Sequence, residues 1–366
     1  MPEANPITQP PTPYAPVSRT TLPIAGLQVD VYGLAELPPA APSVSCLWLH
    51  HPRGRRKEDM ADIAHQVLRA FHHDEDDDDE SRGKRGRGLI AVAFDQRNHG
   101  SRVADERANG AWREGNPTHA QDMFGVVSGT VVDTVHLLDV LEGYLFGAGG
   151  GPGAPPAASL EGVVSSGRHI DQNVVLGVSL GGHSAWQLLF ADPRVTAGVM
   201  VIGCPDYMNL MQDRARLSKL QTWSTVDDGA SFFGSRDFPD ALIAACKKFD
   251  PKGIIFGTGE ILRTPSTGEQ DRIRPLLSSR IRGKGFQILS GGADKLVPYA
   301  AAEPFLYFLK AAATSWYKDG AVYVENNVYQ GVGHEFNAAM RKDATRFILD
   351  VVAASDKDTK VASPKI

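Results

Sequence analysis

The chain has 366 residues, 42% of them apolar, and a formal net charge of −5 at pH 7. That length can bury a large core within a single α/β domain carrying insertions, and the acidic balance argues against a basic nucleic-acid-binding surface. Three cysteines, Cys46, Cys204 and Cys246, are too few for a disulfide framework.

Residues 1 to about 20 are rich in proline and lack a basic start followed by an apolar run, which predicts a loose arm and not a secretion signal. With the cysteine usage, this leads to the expectation of a reducing, cytoplasmic setting. No apolar run is read as approaching the ~18 residues of a membrane span. Ser45–His50 reads as a strand running into His51-Pro52-Arg53-Gly54. Adjacent strand histidines point to opposite faces, and no cysteine or carboxylate lies beside His50 and His51, so no metal is expected there. A helix follows from Asp59 to Phe71. The segregated charges of His72–Glu80 and Lys84–Arg87 predict a solvated insertion near 72–88.

Leu89–Phe94 is a further strand. Between Val127 and Leu145, Val131, Val132, Val135, Leu138 and Leu141 fall near helical spacing and predict a helix with an apolar face. Gly147 opens a Gly/Pro/Ala-rich stretch, so a second insertion is expected near 147–170. The apolar run Val174–Val178 then breaks into Gly177-Val178-Ser179-Leu180-Gly181 and a small-residue helix start. A serine on a tight strand-to-helix turn takes strained backbone angles and tolerates only glycine where the chain passes close. That pattern is how a protein exposes a nucleophilic hydroxyl.

A hydroxyl is unreactive until a base takes its proton, and an acid must hold that base in one tautomer. Two carboxylates follow strand-like runs: Asp206 in Gly203-Cys204-Pro205-Asp206, and Asp294 in the turn after Phe286–Ser290. The base is His334, in the glycine-flanked loop Gly331-Val332-Gly333-His334 after a strand at Ala321–Val324. Helices are predicted at Pro304–Trp316 and Asn337–Ala353, and residues 356–366 form an expected tail. The segment near 205–285 has the position of a cap. Within it, Met208, Met211 and Ala215 form a stripe on an expected helix Tyr207–Leu220, and Trp223, Phe232, Phe233 and Phe238 add aromatic surface for packing or for a pocket.

The serine turn and the chain order Ser, acid, His resemble the α/β-hydrolase superfamily. The resemblance spans most of the chain and implies an α/β-hydrolase fold over residues 21–355, with a mostly parallel sheet, helices on both faces and a small helical cap. It implies Ser179 as nucleophile, Asp294 as the acid in preference to Asp206, and His334 as base. It also implies an oxyanion hole made by the amide of Leu180 and one from the loop after an early strand. Where the family often has His-Gly, this chain has His51-Pro52; proline has no N–H, so Arg53 is the candidate donor. Asp95-Gln96-Arg97-Asn98-His99-Gly100 is similar to the family's Asp-x-Arg-x-His-Gly segment, with an implied structural role.

The expected activity is a carboxylic ester hydrolase acting on a small molecule. A peptidase, amidase or thioesterase with the same triad is the enzymatic alternative, and a non-catalytic ligand-binding protein the other. Neither a phosphate-binding loop ending in Lys-Ser/Thr nor a dinucleotide fingerprint occurs, so no cofactor is implied.

Overall fold

The computed structural model describes residues 5–7, 16–39, 41–72, 86–147 and 167–361. Among the described residues eight strands form one sheet: β1 Arg19–Ile24, β2 Leu27–Tyr32, β3 Ser43–His50, β4 Arg87–Phe94, β5 His169–Val178, β6 Val195–Val201, β7 Gly285–Gly291 and β8 Tyr323–Tyr329. Their spatial order is β1-β2-β4-β3-β5-β6-β7-β8. Only β2 runs against its neighbours; every pair from β4 to β8 is parallel. The central strands β3 to β7 are near-continuous apolar runs because helices cover both faces of a parallel sheet.

Nine α-helices accompany them among the described residues: α1 Ala61–His72, α2 His119–Phe146, α3 Leu180–Ala191, α4 Tyr207–Leu217, α5 Asp240–Phe249, α6 Pro251–Phe256, α7 Thr267–Ile281, α8 Tyr299–Thr314 and α9 Ala338–Val361. Side chains of α2, α3 and α8 join one core with β3 and β5, and those of α1 and α9 build the other on the opposite face. This is the mostly parallel, doubly covered sheet expected from the sequence.

Several boundaries differ from expectation. Residues 5–7 and 16–20 are not a loose arm: Ile7 and Val17 are buried, the Val17 amide donates to His65 Nδ1 at 3.2 Å, and β1 begins at Arg19. Ile7 and Val17 each find an apolar neighbourhood that their proline-rich surroundings conceal. Arg87 does not belong to a solvated insertion; it opens β4, is buried, and forms an ion pair with Asp171. Likewise the second insertion ends before residue 170, because Arg168 is buried against the Pro38 carbonyl and β5 starts at His169. The stretches 73–85 and 148–166, which hold the rest of both expected insertions, lie outside the described residues.

α2 begins eight residues earlier than predicted, since His119, Ala120, Met123 and Phe124 are buried and extend its inward face. The prediction of no membrane-length apolar run also needs correction. By length and composition α2 suffices to cross a membrane, at mean hydropathy 1.5, but half of that window is buried inside the protein. α8 starts at Tyr299 and carries Pro304 within it, forgoing one backbone hydrogen bond. α9 continues to Val361, past the predicted start of the tail at residue 356.

Between β6 and β7, helices α4 to α7 occupy the cap segment. α4 ends at Leu217 and buries Met208, Leu210, Met211 and Ala215. The Tyr207 hydroxyl donates to the Ala120 carbonyl of α2 at 2.6 Å. Phe232 and Phe238 are fully buried with ring centroids 5.3 Å apart, and Trp112 and Tyr207 complete the cluster. These aromatic residues weld the cap to the body.

Candidate active site

β5 ends at Val178, and the next residue, Ser179, has φ 55° and ψ −112°. Such angles cost a non-glycine residue about 1–3 kcal/mol and persist only where neighbours hold them. Here the Ser179 amide donates to the Val201 carbonyl of β6 at 2.9 Å, and the Ser179 carbonyl accepts from the His183 amide at 3.1 Å. The two flanking glycines are required sterically. A Cβ on Gly177 would lie 2.0 Å from the Gly181 carbonyl oxygen, and one on Gly181 would lie 2.1 Å from that of His50.

Parallel pairing brings the remaining groups to the same end of the sheet. Gly291 of β7 pairs with Tyr329 of β8, and beyond these residues the chains stay joined by Ala293 N–H to the Val332 carbonyl at 2.8 Å. Asp294 and His334 therefore leave adjacent strands side by side. The His334 Nδ1 is 2.7 Å from Asp294 Oδ2, and its Nε2 is 2.8 Å from Ser179 Oγ. A carboxylate only accepts, so Nδ1 carries the proton and Nε2 presents its lone pair to the Ser179 hydroxyl. The other oxygen, Asp294 Oδ1, accepts from the amides of Leu296 at 2.8 Å and Val297 at 3.0 Å, which fixes the carboxylate plane. The Asp294 side chain is fully buried and that of His334 is 9% exposed.

Asp206 has a different partner. It is the N-cap of α4, accepting from the Asn209 amide at 3.0 Å, and burial pushes its carboxyl above the usual range. Leu180 opens α3, and Arg53 lies in the turn just past β3. His50 pairs with Gly177, so Arg53 and Ser179 are three and two residues beyond a matched pair on neighbouring strands. This places both candidate oxyanion residues at the serine's end of the sheet.

His50, the last residue of β3, and His51, just beyond it, have separate partners. His50 Nε2 meets Thr134 Oγ1 of α2 at 3.0 Å, whereas His51 Nε2 accepts the Gln96 amide at 3.0 Å. Burial, then the neighbouring His51, pushes His50 down to about 3; burial, then His99, pushes His51 down to about 4. Asp95 accepts from the Lys57 and Ser101 amides, both at 2.9 Å, and His99 Nδ1 is 2.9 Å from the Arg97 carbonyl. The segment Asp95–Gly100 thus ties loop to loop.

Three contributors near the site went unread in the sequence. His183 lies one turn into α3, completely buried, its Nδ1 accepting from the Cys204 amide at 3.0 Å, and burial pushes it down to about 3. The Pro6 carbonyl accepts from the Phe336 amide at 2.8 Å, bracing the loop two residues after His334. Arg214 of α4 donates to the Leu296 carbonyl at 3.1 Å, beside the Asp294 turn. The first had a signal in its position four residues after the serine; the others join distant segments.

The strand order with a single antiparallel second strand, the serine turn after β5 and the acid and histidine after β7 and β8 define the class: this is the α/β-hydrolase fold. No family model and no curated protein matches the chain. Among solved structures it is similar to TT1662 from Thermus thermophilus, with TM-score 0.48 and 18% identity over 92% of this chain and 99% of that one. It is also similar to the Pyrococcus furiosus esterase Pf2001, with TM-score 0.41 and 13% identity over 93% of this chain and 92% of that one. A third is a puromycin-hydrolyzing peptidase of Mycobacterium tuberculosis, with TM-score 0.44 and 14% identity over 95% of this chain but 41% of that one.

Proposed function

We propose that this protein is a serine hydrolase that cleaves a carboxylic ester through an acyl-enzyme. Ser179 Oγ attacks the carbonyl carbon while His334 Nε2 takes its proton, and the carbonyl electrons move onto oxygen. The amides of Leu180 and Arg53 are the proposed donors to that oxyanion, with the start of α3 contributing its positive end. Collapse of the tetrahedral species breaks the C–O bond, and the His334 proton goes to the departing alcohol. Water, deprotonated by the same imidazole, then attacks the acyl carbon and releases the acid and Ser179.

The observation that carries this reading is the unbroken line from Ser179 Oγ to His334 at 2.8 Å and on to Asp294 at 2.7 Å. An ester asks less of such a triad than an amide does, because an alkoxide leaves more readily than an amide nitrogen. The test is a panel of p-nitrophenyl esters of increasing chain length, set beside anilides and thioesters. Ester cleavage by the wild type and none by Ser179→Ala is expected; preferential cleavage of anilides or thioesters would overturn the ester assignment.

A further inference from the structure

Beside the Asp294 turn lies a small cleft of about 40 Å³, lined by Arg53, Trp112, Arg113, His119, Arg214 and Lys295 among others. Four of its lining residues are cationic and none is acidic. A space of that size can take a small group such as a carboxylate. Two cations form the inner wall. Arg214 is half-buried and held by the Leu296 carbonyl at 3.1 Å and His119 Nε2 at 3.3 Å; Arg53 is half-buried and donates to the Asn109 carbonyl at 3.2 Å. Arg113 and Lys295 are exposed at the mouth and form no ion pair among the described residues.

The histidine within this wall is locked as a neutral donor-acceptor. His119 Nδ1 is 2.9 Å from the Gly110 carbonyl and its Nε2 faces the Arg214 guanidinium, so Nδ1 bears the proton. Burial first, then the charges of Arg214 and Arg53, push its pKa well below the usual value, as expected where cations converge. The cleft also adjoins the proposed reaction centre on two sides. Arg53 is the residue whose amide is proposed for the oxyanion, and Lys295 and Leu296 directly follow Asp294.

From this we infer that the cleft is a subsite for a substrate carboxylate, so that the ester hydrolysed carries an anionic group a few bonds from the scissile carbonyl. The inference rests on the serine hydrolase reading and narrows its substrate class. Planar forked donors suit a carboxylate better than a point cation does, and the partly enclosed setting strengthens each charge-assisted hydrogen bond.

Two matched ester pairs test it, one with the charge on the acyl side and one on the alcohol side: p-nitrophenyl hemiadipate against p-nitrophenyl heptanoate, and p-carboxyphenyl butyrate against p-carbamoylphenyl butyrate. In one pair the anionic member is expected to have the higher kcat/KM by about tenfold, the size of one charge-assisted hydrogen bond. The preference should shrink with added salt and fall severalfold in the doubly substituted Arg113→Gln, Lys295→Gln protein, whose changes fall at exposed positions and leave the inner Arg53 and Arg214 in place. Ser179-dependent cleavage with no anionic preference in either pair, or a preference untouched by the double substitution, overturns the subsite and leaves the hydrolase reading standing. Release from none of the four esters by folded protein overturns both.

Discussion

Asp294 and Asp206 are both buried carboxylates just beyond strand ends, and only their partners separate them. Asp294 spends one oxygen on His334 and the other on two amides, whereas Asp206 caps α4. Replacing Asp294 by Asn is expected to lower kcat by about 10⁴, because the amide admits the wrong imidazole tautomer. Asn caps a helix as well as Asp does, so Asp206→Asn should keep both wild-type turnover and thermal midpoint. Steady-state kinetics and melting curves on the two variants check this; inactivation by Asp206→Asn alone would reverse the assignment. At this scale the sequence is legible where function needs local turn chemistry. Ser179 between its glycines, Asp294 before a proline and His334 behind a glycine each announce a strand end. His119 and Arg214 are silent because they meet only when α4 packs against α2, across 95 residues of chain.

Among the elements, the turn between β5 and α3 is the most constrained. Gly181 and the end of β3 approach so closely that an added methyl would lie 2.1 Å from a backbone oxygen, which no rotamer change relieves. Gly181→Ala must therefore shift β3 or α3, moving the proposed oxyanion donors relative to Ser179. A displacement near 1 Å costs on the order of 10² in rate. The expected outcome is a kcat lowered by about that factor with a reduced melting temperature; wild-type kcat would show that the approach is not so close. Buried strands such as β4 and β5 are readable from apolar runs, whereas the strand expected at Ala321–Val324 starts two residues before β8 and stops five short of its end. In β8, Glu325, Asn326 and Asn327 lie on a half-exposed edge, where the Gln287 side chain donates to Glu325 at 2.8 Å, and carry no hydrophobic signature. β1 and β2 are hard to read for a related reason: a two-residue turn at Ala25 and Gly26, both at positive φ, joins short strands close to a proline-rich stretch.

For the molecule as a whole, several histidines are buried neutral, and this couples stability to acid. Burial pushes His50 and His183 down to about 3 and His51 to about 4, against 6.5 for the free side chain. Between those values the unfolded chain holds more protons than the folded one, so stability is full above 6.5 and is lost as the pH falls toward 4. Each histidine contributes a slope of up to ~1.4 kcal/mol per pH unit. Urea midpoints are expected to drop progressively from about pH 7 to about pH 4.5, and more gently in His50→Gln. A flat wild-type profile would contradict the neutral burial. The doubly covered parallel sheet was legible from the alternation of strand-like and helix-like runs, but the ties that close it were not: Pro6 against Phe336 and Arg87 against Asp171 are long-range contacts with no local pattern.

On the proposed reading the Ser179 hydroxyl is an activated nucleophile. Treating folded protein with a fluorophosphonate and mapping the adduct by peptide mass spectrometry tests it most directly. One adduct is expected, on Ser179, absent from Ser179→Ala and strongly slowed in Asp294→Asn. A folded wild-type chain that stays unlabelled, or an adduct on another residue, would contradict it.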